Sequence, residues 1–432
     1  MAYQFDTLKI RAGYNPAEHR QSVQVPIYQT AAYEFRDAKN ADGLFAFTEA
    51  GFLYTRVNNP TVDVLEQRVA ALDGGKAALA LASGMAAVSY TLLNLAEGGG
   101  RILTTPYLYG GSFDSFGRIY PQFNIHLDLS PHINDTAKLE RDIKDDTKAI
   151  FVESVSNPAG VVADLEALSA LAHKHGIPLV VDNTFGTPYL INPINYGADI
   201  VVYSATKALN GHGNLIAGLV VEAGGFPWDN GAFPQMVQDE YVLRDRETGR
   251  KRSFWETFPD APFVTRIRLV YLNYFGAALS PFDAYLTLIG IETLSERVAK
   301  QVATAQKIAE YLETNPHAEW VKYPGLKSDP NYVLARKYFP KGPGSVLSFG
   351  FKGTQEQGDA FLNALELLSY HVNVGDARTL IVNAPRTTHG ELTPEEQRSA
   401  DIPPNLIRVS AGLEDPADII ADLDQAFNRA FA

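Results

Sequence analysis

Between about residues 77 and 222 the chain alternates short apolar segments with helical patterns. This rhythm restricts the fold more than any other feature. Residues 77–82, 149–153, 179–181 and 199–203 read as buried strands. Residues 84–96 read as a helix with Ser83 as its N-cap and Gly98 as its stop. Asp164 is expected to cap a second helix, which carries Leu165, Leu168, Leu171 and Ala172 on one face and ends at Gly176. Strands joined through helices lie mostly parallel in one sheet, because each connection must cross back over it. The expected class is α/β. Ligands of such sheets collect at the carboxyl ends of the strands.

The flanks divide the remaining chain. Residues 1–60 read as an irregular, aromatic-rich arm, broken at Pro26, Gly43, Gly51 and Pro60. A helix begins near Thr61, with Val62, Leu65, Val69 and Leu72 at spacings of three and four. Residues 224–268 interrupt the alternation with a long loop holding Trp228, Phe233, Tyr241, Phe254, Trp255, Phe258 and Phe263. Loops of that length are often functional. From about 278 a long helical stretch (284–312), strands at 345–351 and 406–410, and a final helix from Pro416 suggest a small C-terminal α/β domain. The expected division is an arm (1–60), a large domain (61–277) and a small domain (278–432).

Composition removes several function classes. The net charge of −13 gives no electrostatic drive toward nucleic acid or anionic membranes. With no cysteine, thiol nucleophiles, disulfides and thiolate metal sites are excluded, which fits a cytoplasmic protein. The N-terminus lacks a signal-peptide pattern. The longest apolar run, 215–221, is far below the ~20 residues of a spanning helix.

Three features sit where strands end. Ser83-Gly84-Met85 occupies a strand-to-helix turn, where free backbone N–H groups and the helix dipole suit a phosphate. Asp182 closes an apolar strand and could pair with a heterocyclic nitrogen. Lys207 follows Ser204 and Thr206 on the next strand, and a lysine amine there can form a Schiff base. Phosphate cradle, carboxylate and lysine in this order form the protein side of a pyridoxal-phosphate site. A dinucleotide site fits poorly, because Ile216 stands where the third glycine of a motif begun by Gly211 and Gly213 would be. His173 and His175 are two apart near a helix end and point to different faces, so no metal site is expected.

In these motifs the chain resembles the Cys/Met-metabolism family of pyridoxal-phosphate enzymes over nearly its whole length. The resemblance implies the fold-type-I, aspartate-aminotransferase-like architecture and pyridoxal 5'-phosphate as cofactor. It also implies roles. Tyr54 and Arg56 would reach a neighbouring subunit's phosphate. Ser83, Gly84 and Met85 would form the phosphate cradle, and Ser204 and Thr206 would add hydroxyls. Tyr109 would stack on the cofactor ring. Asn157 would lie near the ring hydroxyl and the substrate carboxylate. Asp182 would pair with the pyridinium nitrogen, Lys207 would be the Schiff-base lysine, and Arg408 would clamp the substrate carboxylate. Asn373 holds a place where related synthases and lyases carry a serine near that carboxylate.

Within the family, the aromatic insert, Ala278-Leu279-Ser280-Pro281-Phe282 and Thr387-Thr388-His389 resemble the branch that replaces the acyl group of O-acetylhomoserine with sulfide in methionine biosynthesis. Asn383-Ala384-Pro385-Arg386 and Asn214 depart from that branch's usual residues. Cystathionine-forming or γ-eliminating chemistry on the same scaffold, and a non-catalytic cofactor-binding protein, are the alternatives. The resemblance implies small-molecule substrates and a homotetramer built as a dimer of dimers.

Overall fold

The computed structural model describes residues 3–244 and 248–432. Met1 and Ala2, and residues 245–247 of the aromatic segment, lie outside the described residues. The N-terminal arm is less irregular than expected, with helices Phe5–Arg11 and Ala38–Phe45. Helix Pro60–Asp73 follows. It starts where the Asn59 side chain accepts the Thr61 N–H at 2.9 Å, with Pro60 in its first turn. It buries the expected stripe of Val62, Leu65, Val69 and Leu72.

Seven strands form the large sheet: β1 (Ala77–Leu81), β2 (Gly100–Thr104), β3 (Ile125–Leu129), β4 (Thr147–Glu153), β5 (Leu179–Asp182), β6 (Ile200–Ser204) and β7 (Gly218–Glu222). Their order is β1-β7-β6-β5-β4-β2-β3. The block from β3 to β6 is parallel. β7 runs antiparallel to both β6 and β1. The mostly parallel expectation therefore holds, with one reversed strand. β2, β3 and β7 had no counterpart in the sequence reading. β2 begins with Gly100 and Arg101 after two further glycines, and β3 alternates polar and apolar residues at the sheet edge.

Side chains of the central strands alternate between two cores. Leu79, Val180, Val202 and Val220 face one of them, and Ala78, Val181, Val201 and Val221 face the other. The first core is closed by helix Gly84–Leu95 and by the aromatic segment. That segment is therefore not a loop but a packed layer containing helices Pro234–Val237, Phe254–Thr257 and Pro262–Arg266. Trp228 stacks on Phe263 (5.0 Å, 11° between planes) and meets Phe233 edge-on at 5.1 Å, and all three rings are buried. Its polar spacers concealed this packing from a periodicity reading.

The small sheet contains β8 (Ala318–Lys322), β9 (Val346–Phe351), β10 (Ser369–Tyr370), β11 (Leu380–Asn383) and β12 (Leu406–Ser410), in the order β10-β11-β12-β9-β8. Helix Pro416–Ala430 covers it with Ile419, Leu423 and Phe427. The stretch read as one helix over 284–312 is two, Pro281–Glu292 and Leu294–Thr314, which meet at Thr293 (φ −116°). One turn beyond the break, Arg297 donates to the carbonyls of Ala208 (3.0 Å), Leu209 (3.4 Å) and Gly290 (2.6 Å). This guanidinium ties the C-terminal helical region to the segment that follows Lys207.

Asp164 precedes helix Leu165–Lys174 but its side chain does not cap it. The carboxylate instead accepts from the Tyr338 hydroxyl and from Lys337. His173 and His175 meet different partners, Asp199 at 2.8 Å and Glu140 at 2.9 Å. Among the described residues no helix is long and apolar enough to cross a membrane.

The stacked core makes a prediction. Trp228→Ala should cost about 3–5 kcal/mol and lower the thermal unfolding midpoint by several degrees. A midpoint equal to the parent's would show that the aromatic segment does not stabilise the sheet.

Candidate active site

Because β7 is reversed, β1 points the same way as the parallel block. The carboxyl ends of β1, β6, β5 and β4 therefore share one edge, where Leu81, Ser204, Asp182 and Glu153 terminate their strands. A cavity of about 330 Å³ opens there. Its walls include Ser83, Gly84, Met85, Tyr109, Asn157, Asp182, Ser204, Thr206, Lys207, Asn373 and Arg408. Of the residues singled out in the sequence, only Tyr54 and Arg56 are elsewhere. Both are exposed, and the Arg56 guanidinium lies 5.1 Å from the centre of the Tyr54 ring. A larger cleft, about 740 Å³ and lined by Tyr107, His132 and Trp320 among others, has none of these residues.

The turn after β1 is set by contact distance. The Ser83 hydroxyl accepts the Ala86 N–H at 3.0 Å and starts helix Gly84–Leu95. A Cβ on Gly84 would lie 2.7 Å from Ser204 Cβ, and one on Gly218 would lie 2.0 Å from the Ser83 carbonyl. Glycine at both positions lets the helix N-terminus approach the ends of β6 and β7. The N–H groups of Gly84 and Met85 have no acceptor within that helix, and both residues line the cavity beside Ser204. The Thr206 hydroxyl donates to the Ala217 carbonyl at 3.2 Å and accepts its N–H at 3.0 Å. This fixes the turn leading to Lys207.

The cavity holds two cations and two carboxyl groups. Burial, and next the positive Arg408, push the Lys207 amine down to about 8. Its Nζ donates to Asn373 Oδ1 at 2.8 Å. Arg408, 3 % exposed on β12, donates to Asn157 Oδ1 (3.1 Å) and to the Asn373 carbonyl (3.1 Å). Burial lowers it to about 10, and among the described residues no carboxylate pairs with it. Burial raises the Asp182 carboxyl, opposed by hydrogen bonds from Thr184, whose N–H reaches Asp182 Oδ1 at 2.9 Å.

Glu153 and His389 were not singled out from the sequence. Glu153 closes β4 as Asp182 closes β5, and the two are register partners. The signal was present as a carboxyl group ending an apolar strand. His389 is buried against the Tyr109 segment and held neutral, its ring pushed down to about 4 by burial and then by Arg408. It was read only as part of a branch motif.

The donor set suits pyridoxal phosphate. The glycine-lined helix N-terminus and Ser204 offer phosphate donors, Asp182 a partner for a ring nitrogen, Tyr109 an aromatic face and Lys207 a partly deprotonated amine. Fold and cavity thus define a pyridoxal-phosphate enzyme of the mostly parallel α/β class. The model of the "Cys/Met metabolism PLP-dependent enzyme" family matches residues 6–428. A sulfhydrylase of Fusarium oxysporum is 44 % identical over 432 residues, 99 % of this chain and 98 % of that one. O-acetyl-L-homoserine sulfhydrylase 1 of Thermus thermophilus is 42 % identical, covering 98 % and 99 % of the two chains. A solved structure of a candidate O-acetylhomoserine (thiol)-lyase from Campylobacter jejuni, containing a pyridoxyl-lysine phosphate, matches with a TM-score of 0.94 at 35 % identity, covering 99 % of this chain and 100 % of that one. The chain belongs to the Cys/Met-metabolism family of pyridoxal-phosphate-dependent enzymes.

Gly84→Ala places a methyl group against Ser204 and should weaken pyridoxal-phosphate binding at least about tenfold. A spectrophotometric titration of the apoprotein would check this. Parent affinity in the variant would remove the glycine turn from the phosphate site.

Proposed function

We propose that this protein replaces the acetyl group of O-acetyl-L-homoserine with sulfide, forming L-homocysteine and acetate for methionine biosynthesis. The observation that carries the amino-acid half is Arg408, a buried guanidinium with amide and carbonyl partners but, among the described residues, no carboxylate. A substrate α-carboxylate supplies the missing anion in a bidentate geometry. The acyl-homoserine and sulfide half rests on the relatives named for that reaction.

When bound, pyridoxal phosphate supplies an electron-accepting ring that takes up the electron pair left on breaking a C–H bond next to the amino group. The residues do the rest. Asp182 holds a proton on the ring nitrogen. Gly84, Met85, Ser204 and Thr206 hold the phosphate. Tyr109 covers the ring, and Asn157 and Asn373 orient Arg408. Lys207 Nζ would hold the cofactor and is the base for the α-proton, a role suited to an amine that burial and Arg408 push down to about 8. A second proton leaves the β-carbon, and the electron pair of that C–H bond expels acetate as the Cγ–O bond breaks. Sulfide forms the new Cγ–S bond, and the protons taken from the α- and β-carbons are returned.

The same reading makes Tyr54 and Arg56 donors to a second subunit's phosphate, supported by their exposure and their distance from this chain's own cavity. A dimer is then the smallest working unit and a dimer of dimers the assembly. It also divides the chain into arm (1–60), large (61–277) and small (278–432) domains, and the compartment proposed is the cytoplasm.

Holoenzyme supplied with O-acetyl-L-homoserine and sulfide should give homocysteine and acetate in equal amounts. Lys207→Ala should lower turnover at least about 10³-fold. Excess 2-oxobutyrate would contradict the replacement reading in favour of elimination, and parent-like turnover in the variant would contradict the assigned role of Lys207.

A further inference from the structure

Glu153 is the one carboxyl group of the cavity that the proposed chemistry does not use. It is buried, 8 % exposed, and no cation acts on it among the described residues. Burial and then the neighbouring Asp182 raise its pKa well above its ordinary value, opposed by the N–H groups of Tyr109 and Asn157. A buried group with this electrostatic cost is held in place by its hydrogen bonds. Oε1 accepts the Tyr109 N–H at 2.6 Å and Oε2 accepts the Asn157 N–H at 2.9 Å.

These two N–H groups belong to separate segments. Tyr109 precedes the short helix Gly110–Asp114 and is 42 % exposed, so no packed core fixes it. Asn157 follows β4 and holds Arg408 through Oδ1. Two converging donors need two acceptors on one arm, which a carboxyl group offers and an amide does not.

We infer that Glu153 is a positioning residue: by accepting the main-chain N–H groups of Tyr109 and Asn157 at the end of β4, it sets the ring-covering tyrosine and the Asn157–Arg408 pair against Asp182. This rests on the proposed reading of the cavity as the cofactor and amino-acid site. Glu153 touches neither reacting atoms nor cofactor in that reading and acts through the residues it tethers.

The test is Glu153→Gln in the full-length holoprotein. Glutamine keeps one acceptor and turns an amide donor toward the other N–H. Amide hydrogen exchange at Tyr109 or Asn157 should accelerate at least about tenfold, while helix Pro416–Ala430 exchanges as in the parent. The visible circular dichroism of the bound cofactor should shift. The Kd for norvaline, an unreactive amino acid, and the KM for acyl-homoserine should rise roughly tenfold, with a smaller fall in kcat. Unchanged exchange at both amides together with unchanged norvaline affinity would overturn the inference. Should the variant not fold, fast exchange at both amides in the unmodified protein would overturn it as well. Exchange and dichroism do not depend on which product forms, so they decide the role of Glu153 even if no homocysteine is found.

Discussion

The site depends on one close approach. The turn Ser83-Gly84 presses against Ser204 and Gly218 at distances that leave no room for a Cβ on either glycine. That approach is possible because β7 lies antiparallel between β1 and β6 and lets β1 run in the direction of the parallel block. Strand ends carrying a helix N-terminus, a hydroxyl, a carboxyl and a second carboxyl then meet along one edge. Removing the reversal would send the β1 turn to the opposite edge and separate the helix N-terminus at Gly84 from Lys207. The lysine segment is held from behind by Arg297, which donates to the Ala208 and Leu209 carbonyls.

Charge then dictates what the cavity accepts. Burying Lys207 and Arg408 lowers the affinity of both for protons, and the positive Arg408 lowers that of Lys207 further. Glu153 and Asp182 are raised for the same reason with opposite sign. A ligand carrying a phosphate, a protonated ring nitrogen and a carboxylate offers partners for the helix N-terminus, Asp182 and Arg408, while Glu153 keeps the Tyr109 and Asn157 N–H groups. Such a cavity is costly to keep without its ligand and selective for it. This connects the fold to the family: the sheet brings the groups together, and their mutual desolvation defines the chemistry.

Local signals were the legible ones. Ser83 ahead of a small-residue helix, Asp182 and Ser204 at the ends of valine-rich strands, and Pro416 opening the last helix each announce themselves within a few residues. Features that depend on distant partners were not legible. The reversal of β7 is a pairing choice, and a run of glycine, leucine and valine fits either direction. The aromatic segment looked like a loop because its ring partners, Phe226, Trp228, Phe233 and Phe263, are spread along the chain without periodicity. Asp164 has the composition of a cap, but Tyr338 and Lys337 lie far off in sequence and take its carboxylate. Tyr54 and Arg56 carry a family resemblance that a single chain's geometry does not bring into its own cavity.

Arg408 is a buried cation with no carboxylate partner among the described residues. Equilibrium binding of norvaline and of norvaline amide to the holoenzyme measures this without turnover. The acid should bind at least about a hundredfold more tightly than the amide, and Arg408→Gln should abolish the difference. Equal binding of acid and amide by the parent enzyme would contradict it.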